Sequence, residues 1–295
     1  MPDCTHDCST CGESCAERTA EFDFRAPANP NSHVKKVIAV MSGKGGVGKT
    51  TVTASLGRRL SLAGFRVALV DADVGLNNLD VALGVERRVV YDIGDVIMGK
   101  CRAFQALVQD EQTQARVLPS SKDNASITAE AFAAAVNSLN EFDFVIIDCP
   151  AGIEHGFHRA VAAADEAIVV TTPSASAIRD ADKVISLLKS YKLRDISLVV
   201  NRVRPDMVAR GEMLAAMEIG SLLRVPPIGV IPEDDGITIY QQLGSSPFGT
   251  ISDRAYILLA ENVANRTKEY HDVSMKGARR KFLGFGRRRA GGRDR

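Results

Sequence analysis

Val37-Ile38-Ala39-Val40-Met41-Ser42-Gly43-Lys44-Gly45-Gly46-Val47-Gly48-Lys49-Thr50 decides how this chain is read. An apolar run stops at a glycine-rich stretch of pattern G-x-x-x-x-G-K-T, and a helix-like stretch, Thr50–Ala63, follows. Strand, glycine loop, helix is the setting in which this pattern binds phosphate. Glycines let backbone N–H groups close on anionic oxygens, and the helix N-terminus adds positive potential. Lys49 reaches the β- and γ-phosphates of a nucleotide, and the Thr50 hydroxyl is placed for Mg²⁺. Gly43, Lys44, Gly45, Gly46, Val47, Gly48, Lys49, Thr50 and Thr51 are therefore the expected nucleotide contacts. Lys44 is a second lysine inside the loop, which phosphate cradling by itself does not require.

Outward from the loop, strand-like and helix-like runs alternate. Strands are expected at Val37–Met41, Val67–Asp71, Ala115–Leu118, Phe144–Asp148, Ala167–Thr171, Ser197–Asn201 and Ile228–Ile231. Helices are expected at Thr50–Ala63, Thr128–Leu139, Gly156–Ala163, Ala175–Lys189, Gly211–Leu223 and Ser252–Arg266. Short apolar strands separated by longer helices predict an α/β fold: a single P-loop NTPase domain with a mostly parallel sheet covered by helices on both faces. The core composition agrees, since the chain is 45% hydrophobic with no Trp, so Val, Ile, Leu and Ala must fill the interior.

Ligands of such sheets bind beyond the carboxyl ends of the strands. Asp71-Ala72-Asp73 ends the second strand, and Asp148-Cys149-Pro150-Ala151-Gly152 ends the Phe144–Asp148 run. A strand-terminal Asp downstream of a phosphate loop is the usual holder of Mg²⁺ and its waters. Asn201 and Arg202 end a later strand, where polar groups can read a base edge. Cys101 and Cys149 read as small buried hydrophobes.

The loop with its extra Lys44 resembles the deviant Walker A motif of the MinD/ParA ATPase family. Asp71-Ala72-Asp73-Val74-Gly75-Leu76-Asn77-Asn78-Leu79-Asp80, Glu86-Arg87-Arg88-Val89-Val90-Tyr91-Asp92, Asp148-Cys149-Pro150-Ala151-Gly152-Ile153-Glu154 and Ile231-Pro232-Glu233-Asp234 extend the likeness to its MinD branch, over residues 34–270. The resemblance implies an ATP hydrolase using ATP and Mg²⁺, an ATP-dependent homodimer, and a role in placing the division septum. It implies that Lys44 of one chain contacts phosphate held by the other, in the manner of an arginine finger. It further implies that Lys44, Lys49 and Asp73 are catalytic, with Asp73 orienting the attacking water. Asp71 and Asp148 would help Thr50 place Mg²⁺, and Asn201 would recognise adenine. A MinC-like inhibitor and a MinE-like topological regulator are the implied protein partners.

Two segments lie outside that domain. Residues 276–295 carry nine basic side chains against one acid, Asp294, although the whole chain is only +1. Such a tail seeks anionic surfaces. Family members end in a short amphipathic helix that lies on anionic membrane. The candidate here is Met275–Arg289, with Phe282, Leu283 and Phe285 as the inserting residues. Glycines 277, 284 and 286 weaken that helix by up to ~1 kcal/mol each. Residues 1–33 form a Cys-rich extension and linker. Cys4, Cys8, Cys11 and Cys15 have spacing C-x₃-C-x₂-C-x₃-C, which suits Zn²⁺ or an iron–sulfur cluster. This segment is similar to the start of Mrp-type iron–sulfur carrier ATPases, although no C-x-x-C follows Cys149. Three parts are thus expected: 1–33, 34–270 and a basic tail, 271–295. No signal peptide or run of about 20 apolar residues is visible. The expected location is therefore the cytoplasm, peripheral on the inner face of the plasma membrane. A cluster carrier and a DNA-associated partitioning ATPase are the competing readings, and nucleic acid is not an expected partner under the leading, septum-placing one.

Overall fold

The computed structural model describes residues 36–75, 78–121, 127–153, 155–193, 195–242 and 248–269. Their centre is an eight-stranded sheet of order β3-β4-β2-β5-β1-β6-β7-β8. The strands are β1 (Lys36–Met41), β2 (Val67–Asp71), β3 (Val108–Gln109), β4 (Arg116–Leu118), β5 (Phe144–Asp148), β6 (Glu166–Thr171), β7 (Asp195–Val203) and β8 (Pro227–Pro232). All neighbouring pairs are parallel except β3–β4. The Cys-rich extension and the basic tail fall outside the described residues.

Alternate residues of β1 feed two cores. Ile38 and Val40 pack on the face covered by α1 (Lys49–Leu62) and, near the chain's end, by α11 (Asp253–Asn265). There they join Val52, Leu56 and Leu60 of α1 and Tyr256, Leu259 and Val263 of α11. Val37, Ala39 and Met41 point to the opposite face. That face is covered by α5 (Ala129–Asn137), α6 (His155–Ala163), α7 (Ala175–Ser190) and α9 (Ala216–Leu223), through Phe132, Phe157, Val184 and Ile219 among others. Burial on both faces is why the strands are continuous apolar runs rather than alternating ones.

The expected strands are all present, and one more joins them. β3 is a two-residue antiparallel edge strand returning into β4, closed by the Asp110 N–H bonding to Ala115 O at 2.8 Å. Two residues carry no periodicity, so tertiary pairing alone reveals it. The helix expected over Gly211–Leu223 begins only at Ala216, because Ala215 is extended and donates its N–H to Glu218. Short helices also form where no long period exists: α2 (Leu79–Leu83), α3 (Ile93–Ile97), α4 (Ala103–Ala106), α8 (Pro205–Ala209) and α10 (Asp235–Gln242).

α1 is pinned to the β3–β4 hairpin by a buried ion pair. Arg58 donates to both carboxylate oxygens of Asp110 (3.1 and 2.8 Å) and to Leu83 O at the end of α2 (3.1 Å). Both charged side chains are only 2% exposed. Breaking one half of a buried pair strands the other charge, at a cost of about 3–5 kcal/mol. Arg58→Met should therefore shift the urea unfolding midpoint down by that much stability. The double variant Arg58→Met with Asp110→Leu should recover most of it, and additive losses would contradict the assignment.

Candidate functional site

β1 lies between β5 and β6, so the loop after Met41 opens into the crevice above the carboxyl ends of the central strands. The loop turns into α1 at Gly48, which has φ 91° and so occupies the left-handed region open to glycine. A Cβ there would also sit 2.3 Å from Asn201 Nδ2. Gly43 is required by contact: a Cβ would come within 2.3 Å of Asp180 O on α7. Gly45 and Gly46 face open space. The N–H groups of an opening helical turn lack acceptors within the helix and point along its axis. Here the axis of α1 runs into a cleft of about 430 Å³ lined by Ser42, Lys44 to Thr51, Asp73, Asn78, Pro150 and Ala151.

Strand register brings the carboxylates together. Asp71 is the register partner of Asp148 across β2 and β5, and Val40 of β1 is opposite Asp148 on the other side. Asp148 is buried and meets three groups of α1. Lys49 Nζ lies 3.4 Å from Oδ1, Thr50 Oγ1 donates to Oδ2 at 2.6 Å, and Thr53 Oγ1 donates to Oδ1 at 3.1 Å. Asp71 accepts the N–H groups of Asp73, Asn78 and Leu79 at 2.9, 3.2 and 3.2 Å. Burial, with the Asp148 charge second, pushes the Asp71 carboxyl up to about 7 despite those bonds. Burial also raises Asp148, opposed by Lys49. Half-buried Asp73 is raised by desolvation, opposed by Lys49 and Arg159. Two carboxylates crowded beside a hydroxyl, all hard oxygen donors, fit a Mg²⁺ ion that takes its remaining ligands from phosphate and water. A dication held there would reverse the penalty on the charged forms.

The remaining expected residues are distributed around the cleft. Asn201 is buried at the end of β7, and its amide donates to Val47 O at 2.8 Å, which ties the strand to the loop. One amide hydrogen is thereby committed, and the other with Oδ1 is left for a base edge. Arg202 is exposed and left-handed, with φ 57°, at an irregularity in the β7–β8 register. Lys44 lines the cleft, and its ammonium is bonded at the rim. Its Nζ lies 3.2 Å from Ser176 Oγ in the first turn of α7, on the exposed rim with Gly45 and Gly46. Cys149 is buried and its thiol is pushed up by burial, while Cys101 is half-buried. Cys4, Cys8, Cys11, Cys15, Phe282, Leu283 and Phe285 lie outside the described residues.

Thr53 and Arg159 are not announced by the sequence as residues of the site. Thr53 shares a helix face with Thr50 at spacing i, i+3, and that spacing was the available signal. Arg159 on α6 donates to Ala72 O at 3.4 Å, and nothing in the linear sequence announces it.

A family model described as "ParA: NUBPL iron-transfer P-loop NTPase" matches residues 33–213. The septum site-determining protein MinD of Synechocystis is 50% identical over 215 residues, covering 72% of this chain and 81% of its own length. MinD of Bacillus subtilis is 40% identical over 263 residues, covering 84% and 98%. Among solved structures, Aquifex aeolicus MinD in its MinC:MinD complex aligns with TM-score 0.74 and 39% identity, covering 79% of this chain and 96% of that one. MinD from Pyrococcus horikoshii, complexed with Mg-ADP, aligns with TM-score 0.70 and 31% identity, covering 77% and 95%. With 40–50% identity to bacterial MinD proteins over most of its length, and the same fold, the chain belongs to the MinD family: it is a P-loop ATPase, an ATP hydrolase of septum placement.

Proposed function

We propose that this ATPase is a switch that pairs with ATP and uses its basic tail to hold an anionic membrane surface, on the inner face of the plasma membrane. The glycine loop holds ATP with Lys49 on its terminal phosphates, and Thr50, Asp148 and Asp71 would hold Mg²⁺. The ion supplies neutralisation of phosphate charge; this chain's residues supply position. Asp73, at the rim of the cleft, orients the attacking water, and Asn201 with Arg202 faces adenine. Lys44 reaches across to phosphate on the second protomer. The observation that carries this reading is a second loop lysine whose exposed ammonium sits at the rim of the cleft, bonded to Ser176.

Pairing matters because one tail is a weak anchor. Each basic residue near an anionic leaflet contributes about 1 kcal/mol, and the apolar stripe is short. Two tails on one dimer raise avidity by ~10²–10⁴. A MinC-like protein is the partner suggested by the MinC:MinD complex of Aquifex aeolicus, and a MinE-like regulator is suggested by family resemblance. Among the described residues no helix is long and apolar enough to cross a membrane.

The test is the mass of the full chain in solution with Mg·ATP and with Mg·ADP, by sedimentation velocity. A dimer with ATP and a monomer with ADP is the expected result, and one mass in both states contradicts the reading.

A second reading has one observation in its favour, the iron-transfer description of the matching family model. Among the described residues no group of three or more His, Cys, Asp or Glu side chains is placed to hold a metal. In this reading the cluster would be held by Cys4, Cys8, Cys11 and Cys15. Iron and acid-labile sulfide in anaerobically purified protein, lost on replacing those four residues by Ser, is the result this reading requires.

A further inference from the structure

We infer that Arg159 is a positioning residue for ATP hydrolysis: from α6 it holds the Ala72–Val74 turn, and through that turn the side chain of Asp73. The inference rests on the reading of Asp73 as the water-orienting group.

Three observations lead to it. The first is where Arg159 reaches. Its Nη2 donates to Ala72 O at 3.4 Å, the carbonyl of the peptide that enters Asp73. The same oxygen accepts the Val74 N–H at 3.1 Å, so the guanidinium grips the turn itself. The turn is held from β5 as well, since Ala72 N–H donates to Asp148 O at 2.9 Å. Arg159 thus adds a contact to a turn already tied to the Mg²⁺-side carboxylate's strand.

The second observation is an orphaned donor. Arg159 Nε is buried and has no hydrogen-bond partner among the described residues. A buried donor without an acceptor costs about 1–3 kcal/mol. An always-charged, five-donor group is an expensive choice for packing alone. It is a sensible choice for a group that holds a carbonyl and keeps its charge within electrostatic reach of a carboxylate. The nearby carboxylate is Asp73, and the two charges act on each other, with Lys49 as the other cation acting on Asp73.

The third is the rigidity of the platform. A Cβ on Gly156 would lie 2.1 Å from Pro150 Cγ, so the first turn of α6 is seated directly against the segment that follows Asp148. Phe157 and Ala160, on either side of Arg159 in sequence, are buried at 1% and 0% exposure. Arg159 therefore reports the position of the β5 end to the turn at the β2 end. Misplacing a reacting group by about 1 Å can cost ~10²-fold in rate, which is the scale at which such a brace acts.

The experiment uses the full chain. Basal Mg·ATP turnover and KM are measured for wild type, Arg159→Met, Arg159→Lys, Asp73→Ala and the double variant Asp73→Ala with Arg159→Met, alongside unfolding midpoints. Arg159→Met keeps length and burial without the charge. It is expected to lower kcat about 10- to 100-fold with KM for ATP within about twofold and the unfolding midpoint preserved. Arg159→Lys should recover part of kcat, because an ammonium reaches the carbonyl but lacks the fork. The double variant should turn over no more slowly than Asp73→Ala, since the two residues act as one unit. Wild-type kcat in Arg159→Met overturns the inference, as does a parallel loss of kcat, KM and stability. A double variant whose losses multiply overturns it too, while leaving the role of Asp73 intact. Wild-type kcat in Asp73→Ala overturns the role of Asp73 itself, and with it this inference.

Discussion

Lys44→Ala should eliminate ATP-dependent pairing and slow hydrolysis by at least ~10²-fold, while the chain still binds Mg·ATP. A charge supplied in trans is worth ~10³–10⁵ when it is a bidentate arginine. A lysine is a compact point charge without the planar fork, so its share falls at the lower end. ATP binding should survive, because Lys49, Thr50 and the loop amides remain, and Lys44 Nζ is spent on Ser176 in the single chain. Sedimentation velocity and steady-state turnover read the two losses. A mixing experiment separates trans from cis action. A Lys44→Ala protomer retains its own Asp73, and an Asp73→Ala protomer can lend Lys44 to it. Mixing the two inactive chains should restore up to half of wild-type turnover per dimer. Wild-type turnover in Lys44→Ala, or no recovery on mixing, removes the trans role.

Deletion of residues 275–295 should abolish co-sedimentation with anionic vesicles in the ATP state and leave nucleotide binding unchanged. Nine basic side chains in the segment 276–295 set the electrostatic part of that attachment. Since exposed charges are screened over about 8 Å at physiological ionic strength and 3 Å at 1 M, raising the salt should release the intact chain. Phe282→Ser with Phe285→Ser should weaken binding at every salt concentration, since it removes apolar burial and not charge. Intact protein should bind with Mg·ATP and release with Mg·ADP, because only the dimer brings two tails to one surface. Equal binding in both nucleotide states, or undiminished binding after deletion, contradicts the switch.

Much of the site was legible because its chemistry is written in short, contiguous signals. Gly43–Thr50 needs no partner from elsewhere to be recognised: the glycines, the lysine and the flanking periods all lie within one strand–loop–helix unit. Asp71 and Asp148 were legible by a rule of position, that functional groups in parallel sheets sit after the strands. Thr53 and Arg159 were not. Each acts through a contact to a residue distant in sequence, Asp148 at 3.1 Å and Ala72 O at 3.4 Å. Asn201 was found by position, but its hold on Val47 O depends on β7 arriving beneath the loop. β3 and the late start of α9 escaped for the related reason that a two-residue strand and an extended Ala215 have no period to detect.

The linear order of residues alone determined the alternation of buried strands and helices, the phosphate loop, the carboxylates that end β2 and β5, and the presence of a second loop lysine. Those are local properties, set by side-chain period and backbone freedom within a few residues. Only the tertiary structure decided that Asp71 stands beside Asp148, that Arg58 is sealed against Asp110, that Arg159 meets the turn before Asp73, and that Lys44 meets Ser176 at the rim of the cleft. Strand order and side-chain direction arise from contacts between segments tens of residues apart, and a pattern read along one dimension contains no record of which of them meet.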